Sequence, residues 1–189
     1  MMRAALLMMT ALTVAGCHGA RPISPYDGMT TRIRDSDLAR LLTLKAADCM
    51  SNDPQKAESL LREALAADLY HGPAHNHLGV LHLETGALYD AAHEFEWAAR
   101  LMPGHPDPRM NLALTLERAG RVEEAIASYR TALEVYPGHV PTSQPLARIQ
   151  IRHGLADAQT DDLLESISLA GENAEWREWA KGWRSRRVD

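Results

Sequence analysis

The sequence has little of what a β-sheet protein requires. No clear run of alternating β-branched residues occurs in its 189 residues, and aromatic residues make up only 5% of the chain. Alanine and leucine are abundant instead, and both lose little side-chain freedom on entering a helix. The composition therefore predicts an all-α protein, and the length is enough for one ordinary domain with a substantial core.

Three further absences narrow the function. Cys17 and Cys49 are the only cysteines, so a disulfide framework is excluded. The net charge is −5 and no large basic patch is present, so we expect no nucleic-acid partner. Because no phosphate-binding loop, dinucleotide fingerprint or nucleophile elbow occurs, we expect no catalytic residues, no cofactor and no small-molecule substrate.

The chain begins MMRAALLMMTALTVAGC. Arg3 supplies a positive charge, and the apolar run at 4–14 is too short to span a bilayer but typical of a signal-peptide core. The residues VAGC at 14–17 resemble the bacterial lipobox, in which the cysteine is lipidated and becomes the first residue after cleavage. We therefore expect a lipoprotein signal peptide over 1–16 and a lipid anchor on Cys17; a plain secretory signal is the alternative.

The lipobox resemblance also implies a location. Lipoprotein cysteines carry more than one acyl chain, which is the condition for stable anchoring. His18 stands after the cysteine where a retention signal would have Asp, which resembles a lipoprotein sorted to the outer membrane, facing the periplasm. Residues 17–36 are polar, contain several prolines and glycines and lack periodicity, so we expect a flexible tether there.

An internal repeat runs through the middle of the chain. The stretches AAHEFEWAARLMPGH at 91–105 and AIASYRTALEVYPGH at 125–139 share a small residue, an aromatic, a second small residue and a closing Pro-Gly-His in register. The same step of 34 residues, from Ala91 to Ala125, aligns three sets of positions. These sets are Ala57, Ala91 and Ala125; Leu61, Phe95 and Tyr129; and Ala64, Ala98 and Ala132.

Each unit predicts two antiparallel helices joined by a turn, with Gly86 and Gly120 at two of the bends. We expect the first helices over 38–50, 73–84 and 107–118, and the second helices over 54–67, 88–101 and 122–135. The small residues mark close approach of helix backbones, and the leucine or aromatic fills the space between hairpins. A large residue at Ala91 or Ala98 is expected to overpack.

This pattern resembles the tetratricopeptide repeat (TPR). The third unit carries it most fully, at Asn111, Leu112, Ala113, Gly120, Ala125, Tyr129, Ala132 and Pro137. The first unit is degenerate, with Lys45 at a small-residue position and Leu69 at the proline position, and a fourth begins near Val140 but lapses at Gln159. The resemblance implies a helical-hairpin solenoid of about three repeats and a partial fourth over 37–154, with capping helices over 155–189.

Further helix signals follow the repeats. Thr160 or Asp161 is the predicted N-cap of one helix, Gly171 its end, and Asn173 the cap of a last helix. Three tryptophans share one face of that last helix: Trp176, Trp179 and Trp183. We expect them to cover the open end of the solenoid; a partner-binding site or a membrane contact is the alternative.

By resemblance, a TPR domain binds partners on the concave surface formed by the first helix of each unit. The lining residues so implied are Leu42, Ala46, Cys49, Asn76, Val80, Leu83, Met110, Leu114, Glu117, Arg148 and Ile151. The set is mixed with a sizeable apolar share, which suits an apolar or amphipathic peptide segment. The lysine-rich clamp of chaperone-binding TPR domains is not expected, because Leu42 and Ala46 stand where it needs polar and basic residues.

Histidines are numerous, and five of the nine lie close together in sequence: His71, His75, His77, His82 and His93. Zinc sites use tighter sets completed by Cys, Asp or Glu, so we expect no metal site, and a metal-dependent envelope enzyme is the rival hypothesis. The expected function is non-catalytic: a scaffold or assembly factor for a cell-envelope complex. Lipid-anchored TPR proteins of this size resemble pilus-assembly and secretion factors, including the TadD-like group and pilotins.

Overall fold

The computed structural model describes residues 34–188, and the predicted signal peptide, Cys17 and nearly all of the predicted tether lie outside these residues. The described residues form nine α-helices and contain no strand, which confirms the all-α prediction. The helices are α1 (Ser36–Cys49), α2 (Pro54–Ala67), α3 (Gly72–Thr85), α4 (Leu88–Leu101), α5 (Asp107–Arg118), α6 (Val122–Val135), α7 (Val140–Arg152), α8 (Ala158–Ala170) and α9 (Ala174–Val188). Within this part of the chain, none of them is both long and apolar enough to cross a membrane.

Consecutive helices pair as hairpins: α1 with α2, α3 with α4, α5 with α6 and α7 with α8. The six helices predicted from the repeat agree with the structure to within two residues at each end. The second helix of each hairpin also contacts the first helix of the next hairpin, and α9 packs on α8. The described residues therefore form a solenoid in which hairpins contact mainly their neighbours.

The repeated positions form the core of the hairpins. Phe95 and Tyr129 are fully buried, and the alanines of the repeat have no exposed surface: Ala57, Ala64, Ala91, Ala98, Ala125 and Ala132. Gly79 on α3 shows why some of these positions must stay small, because a Cβ atom there would lie 2.7 Å from Cε1 of Phe95. The repeat is thus maintained by packing, since each small residue leaves room for a large one on the facing helix.

Left-handed glycines end three of the first helices. Gly86, Gly120 and Gly154 have φ angles of 79°, 75° and 68°, a conformation that glycine adopts without a steric penalty. In the second hairpin the amide of Ala87 then donates to the carbonyl of His82 at 2.9 Å, as expected for a Schellman-type helix end. The first hairpin lacks such a glycine, and Asp53 caps α2 by accepting from the amide of Lys56 at 3.0 Å.

The start of α8 differs from the prediction. Asp157 is the N-cap, not Thr160 or Asp161: its carboxylate accepts from the amide of Thr160 at 3.0 Å. The hydroxyl of Thr160 in turn accepts from the amide of Asp157 at 2.9 Å, which makes a reciprocal capping box. Gly171 ends α8 and Asn173 caps α9, both as predicted.

Helix α8 also completes a fourth hairpin. Gln159 stands at the small-residue position where the repeat pattern lapses, but it is exposed and does not disturb the packing. Leu164 and Ile167 are fully buried and join the core cluster of the last hairpins. A hairpin therefore forms without the motif because apolar residues one turn further along α8 bury the helix.

Candidate functional site

The predicted groove residues all lie on the first helices of the hairpins, α1, α3, α5 and α7. Their spacing by three and four residues places those of each helix on one face. Helix α1 contacts α3, and α3 contacts α5, so these faces lie side by side. A salt bridge from Glu117 on α5 to Arg148 on α7 extends the row to the fourth hairpin.

Two of the predicted lining residues lie in the core instead. Ala46 has no exposed surface and clusters with Ala74 and Leu78 of α3. Leu83 is 6% exposed and clusters with Phe95, and Leu114 of α5 packs against the same cluster. In each case the neighbouring first helix covers the position, so neither side chain contacts a partner without a change in the core. The other nine residues remain partly exposed.

Polar bonds between successive first helices hold this face together. The Asn111 side-chain amide donates to Oδ1 of Asn76 at 3.2 Å, joining α5 to α3. Arg118 donates to the carbonyl of Leu83 at 3.1 Å across the same pair of helices. Because both bonds run between repeats, they set the spacing of the helices that a bound segment would cross.

Glu117 is the centre of a charged cluster on the face. Its carboxylate is only 12% exposed and accepts from Arg148 at 3.3 Å and from Arg152 at 3.4 Å. The hydroxyl of the buried Tyr129 donates to the same carboxylate at 3.3 Å, and burial together with Glu117 raises the pKa of Tyr129 well above its usual value. Glu117 is therefore bound to α6 and α7 and is not a free charge facing solvent.

The three tryptophans of α9 pack against the core cluster of the last hairpins, as the capping prediction requires. Trp176 and Trp179 meet edge to face, with ring centroids 5.1 Å apart. These two rings, together with Arg148 and Glu175, also line a cleft of about 290 Å³. The structure thus joins a groove residue on α7 to the tryptophans of α9, a juxtaposition that the sequence did not predict.

The cleft can hold one side chain of a bound segment. Its two indole rings offer an apolar surface, and the guanidinium of Arg148 offers donors for an acceptor group. Arg148 is 37% exposed and Trp176 and Trp179 are half-buried, so all three are accessible. The capping role and the partner-site role of these tryptophans are therefore compatible.

Among the histidines, His75 is the most constrained. Its Nδ1 lies 2.6 Å from Oε2 of Glu94 and its Nε2 lies 2.9 Å from the carbonyl oxygen of Leu69, while the ring stacks on Trp97. Both partners are acceptors, so both ring nitrogens carry protons and His75 is an imidazolium. Burial opposes this charge, but the hydrogen bonds to Glu94 and Leu69 raise the pKa of His75 above its usual value.

This geometry bears on the metal hypothesis. Each ring nitrogen of His75 already contacts an acceptor, so a metal ion would have to displace one of them. Burial lowers the pKa values of His71 and His77, which lie on the same stretch of chain. Over residues 34–188 no three His, Cys, Asp or Glu side chains come together as a metal site.

Stacked helical hairpins with a continuous row of first helices define a class: helical-repeat scaffolds for protein–protein interaction. Residues 89–140 match the family model of the tetratricopeptide repeat. The resemblance is therefore confirmed, and the chain carries tetratricopeptide repeats.

Three similar proteins show the range of contexts in which the fold occurs. Human protein O-mannosyl-transferase TMTC2 is 35% identical over 82 residues, which cover 41% of this chain and 10% of that protein. A mutant O-GlcNAc transferase from Thermobaculum terrenum matches with a TM-score of 0.64 and 29% identity, over 74% of this chain and 27% of that one. The first TPR of Spaghetti (RPAP3), bound to the HSP90 peptide SRMEEVD, matches with a TM-score of 0.61 and 18% identity, over 65% of this chain and 98% of that one.

The matches have different extents. The chain spans only a tenth of the curated relative that it matches. The transferase activity in two of these names belongs to those much longer proteins, whereas the RPAP3 domain is matched over nearly its whole length. What all three share with this chain is the helical-hairpin repeat.

Proposed function

We propose that the protein is a non-catalytic scaffold that binds an apolar or amphipathic segment of a partner protein along its first helices. The observation that carries the proposal is the row of partly exposed apolar side chains on α1, α3, α5 and α7. They are Leu42, Val80, Met110, Leu114 and Ile151. Because Asn76 and Glu117 between them are bonded within the protein, the apolar side chains dominate what a partner meets.

The chemistry of the groove differs from that of an acidic-peptide site. The RPAP3 domain holds a peptide that ends in acidic residues, whereas Leu42 and the buried Ala46 occupy the corresponding clamp positions here. We infer that the bound segment is held mainly by apolar contacts, with one side chain in the cleft beside Trp176 and Trp179. A helical segment would present such side chains at every third or fourth position.

Leu114→Glu is expected to lower partner binding about 30-fold, because it places a charge among apolar contacts at the middle of the row. The measurement is recovery of crosslinked proteins from native membranes, with partners identified by mass spectrometry. Leu169→Glu is the control, since Leu169 is 76% exposed on α8, away from the first helices. Leu83 is unsuitable for the same test, because its burial would turn a new charge into a folding defect.

Both variants should keep the wild-type circular dichroism spectrum. Equal recovery from wild type and Leu114→Glu would contradict binding along the first helices. Loss of recovery in Trp179→Ala alone would then assign the partner site to the α9 cleft.

We also propose that a lipid on Cys17 anchors the protein to the bacterial outer membrane, on its periplasmic side. The support is the lipobox-like VAGC at 14–17 and the apolar run before it. Cys17→Ser is expected to release the protein from the membrane fraction or to block its processing, since the acyl chains are lost. Processed Cys17→Ser protein that still sediments with membranes would contradict the anchor.

Within the scaffold class, we propose assembly of a pilus or secretion system as the narrower function. A secretin or pilus platform among the crosslinked proteins would support it, whereas a cell-wall enzyme would make the protein an adaptor for envelope remodelling. The metal-dependent enzyme is the rival hypothesis. Sub-micromolar, stoichiometric zinc binding in calorimetry would favour that enzyme, and absence of heat would count against it.

A further inference from the structure

The outer face of α1 is apolar and exposed. Leu38, Leu41 and Leu44 are 42%, 49% and 56% exposed. They recur every three residues along the helix, so they lie on one face. Exposed leucines scattered singly are ordinary, but three on one helix face form a patch that a soluble surface rarely leaves uncovered.

Equivalent positions elsewhere in the solenoid are covered. The step of 34 residues relates Leu44 to Leu78, and three such steps relate it to Leu146. Leu78 is 3% exposed and Leu146 is fully buried, because the second helix of the preceding hairpin packs against α3 and against α7. Among the described residues no helix precedes α1. Its outer face therefore has the composition of a packing surface between hairpins.

The charges that flank the leucines make this face self-complementary. Asp37 and Lys45 are each four residues from Leu41, on either side of it, and both are exposed. When two α1 helices pack antiparallel with Leu41 at the centre, Asp37 of one copy faces Lys45 of the other, and Leu38 faces Leu44. Parallel packing would place like charges together, which is unfavourable. An isologous two-fold interface has this reciprocity.

We propose that the protein forms a two-fold symmetric dimer through the outer face of α1, with the two α1 helices antiparallel and Leu41 on the axis. The occupant of the face is a second copy of this chain, because the charge pattern matches its own reverse. Asp37 is available for the contact: its own ion pair, with Arg40, is long at 3.6 Å and its side chain is 94% exposed. This proposal is independent of the binding groove, which lies on a different face.

Charge reversal tests the pairing. The dimer dissociation constant of the full-length chain, purified in detergent and measured by sedimentation velocity, should rise about tenfold in Asp37→Lys and in Lys45→Asp. It should return close to the wild-type value in the double variant, where the charges again face opposite charges. Asp90→Lys is the matched control, because Asp90 is an acidic residue in the first turn of α4 and shares the helix-terminus effect of Asp37.

Crosslinking tests the geometry. In a Cys49→Ser background, Leu41→Cys should form a disulfide-linked dimer with itself under mild oxidation. Leu38→Cys and Leu44→Cys should crosslink well only when the two variants are mixed. A wild-type chain that stays monomeric at about 100 μM overturns the proposal. So does a double charge variant that dimerises no better than the single ones, or equal crosslinking at all three positions.

Discussion

Phe95→Ala is expected to lower the free energy of unfolding by about 3–5 kcal/mol, the usual cost of removing a buried aromatic ring. Phe95 is fully buried between α3 and α4 and is the aromatic of the second hairpin. Because few atoms near it are mobile, the cavity left behind is expected to collapse only in part. Urea unfolding followed by circular dichroism measures the change.

Gly79 provides a sharper version of this experiment. Gly79→Ala alone should cost about 1–3 kcal/mol, because its new Cβ would meet Cε1 of Phe95 at 2.7 Å. In the Phe95→Ala background the ring is gone, and the same substitution should instead stabilise α3 by about 0.5–1 kcal/mol through helix propensity. The sign reversal isolates the contact between the two residues.

Gly182→Ala is the control for this cycle. Gly182 lies within α9 and a Cβ there meets nothing within 4 Å. It should stabilise the protein by a similar amount in both backgrounds, because only helix propensity changes. A Gly79→Ala cost that is equal in both backgrounds would show that the close approach to Phe95 does not limit this position.

Glu94→Gln is expected to lower the free energy of unfolding by about 1.5–3 kcal/mol near pH 6, because the buried imidazolium of His75 loses its charged partner. The His75 pKa is raised in the folded protein, so its contribution is complete below the unfolded-state pKa of about 6.5. It is lost as the pH rises through the raised pKa. The gap between wild type and variant should therefore shrink from about pH 6 to about pH 9.

NMR titration of the His75 ring gives a direct readout: the pKa should fall in Glu94→Gln. Glu96→Gln is the control, since Glu96 is exposed on the same helix and pairs only with Arg100 among the ion pairs of the described residues. A stability gap that stays constant with pH would contradict the ion pair as the source of the effect. His93 must be followed as well, because its Nδ1 lies 3.9 Å from Glu94.

The helices were predictable because their signals are local. Gly86 and Gly120 end first helices, Pro103 and Pro137 follow second helices, and a step of 34 residues aligns them. Repetition makes such signals reliable, since each position is read several times. The same redundancy identified the residues of the core before any contact was known.

Contacts between hairpins were not predictable from the repeat. Which side chains the next first helix covers depends on the packing distance between hairpins, and this placed Ala46 and Leu83 in the core. His75 and Glu94 each occur at their positions in one unit only, so no recurrence points to the pair. The cleft between Arg148 and Trp176 arises from the packing of α9, which lies outside the repeat altogether.

The nearest-neighbour contacts of the hairpins have an evolutionary consequence. The segment from Gly86 to Gly120 begins and ends at the same point of a turn, so its duplication or deletion would join a first-helix end to the start of the next second helix as before. One unit could thus be gained or lost while the contacts at both ends of the solenoid stayed unchanged. The length of the surface open to selection is therefore set by recombination in whole units, and its chemistry by point mutation within them.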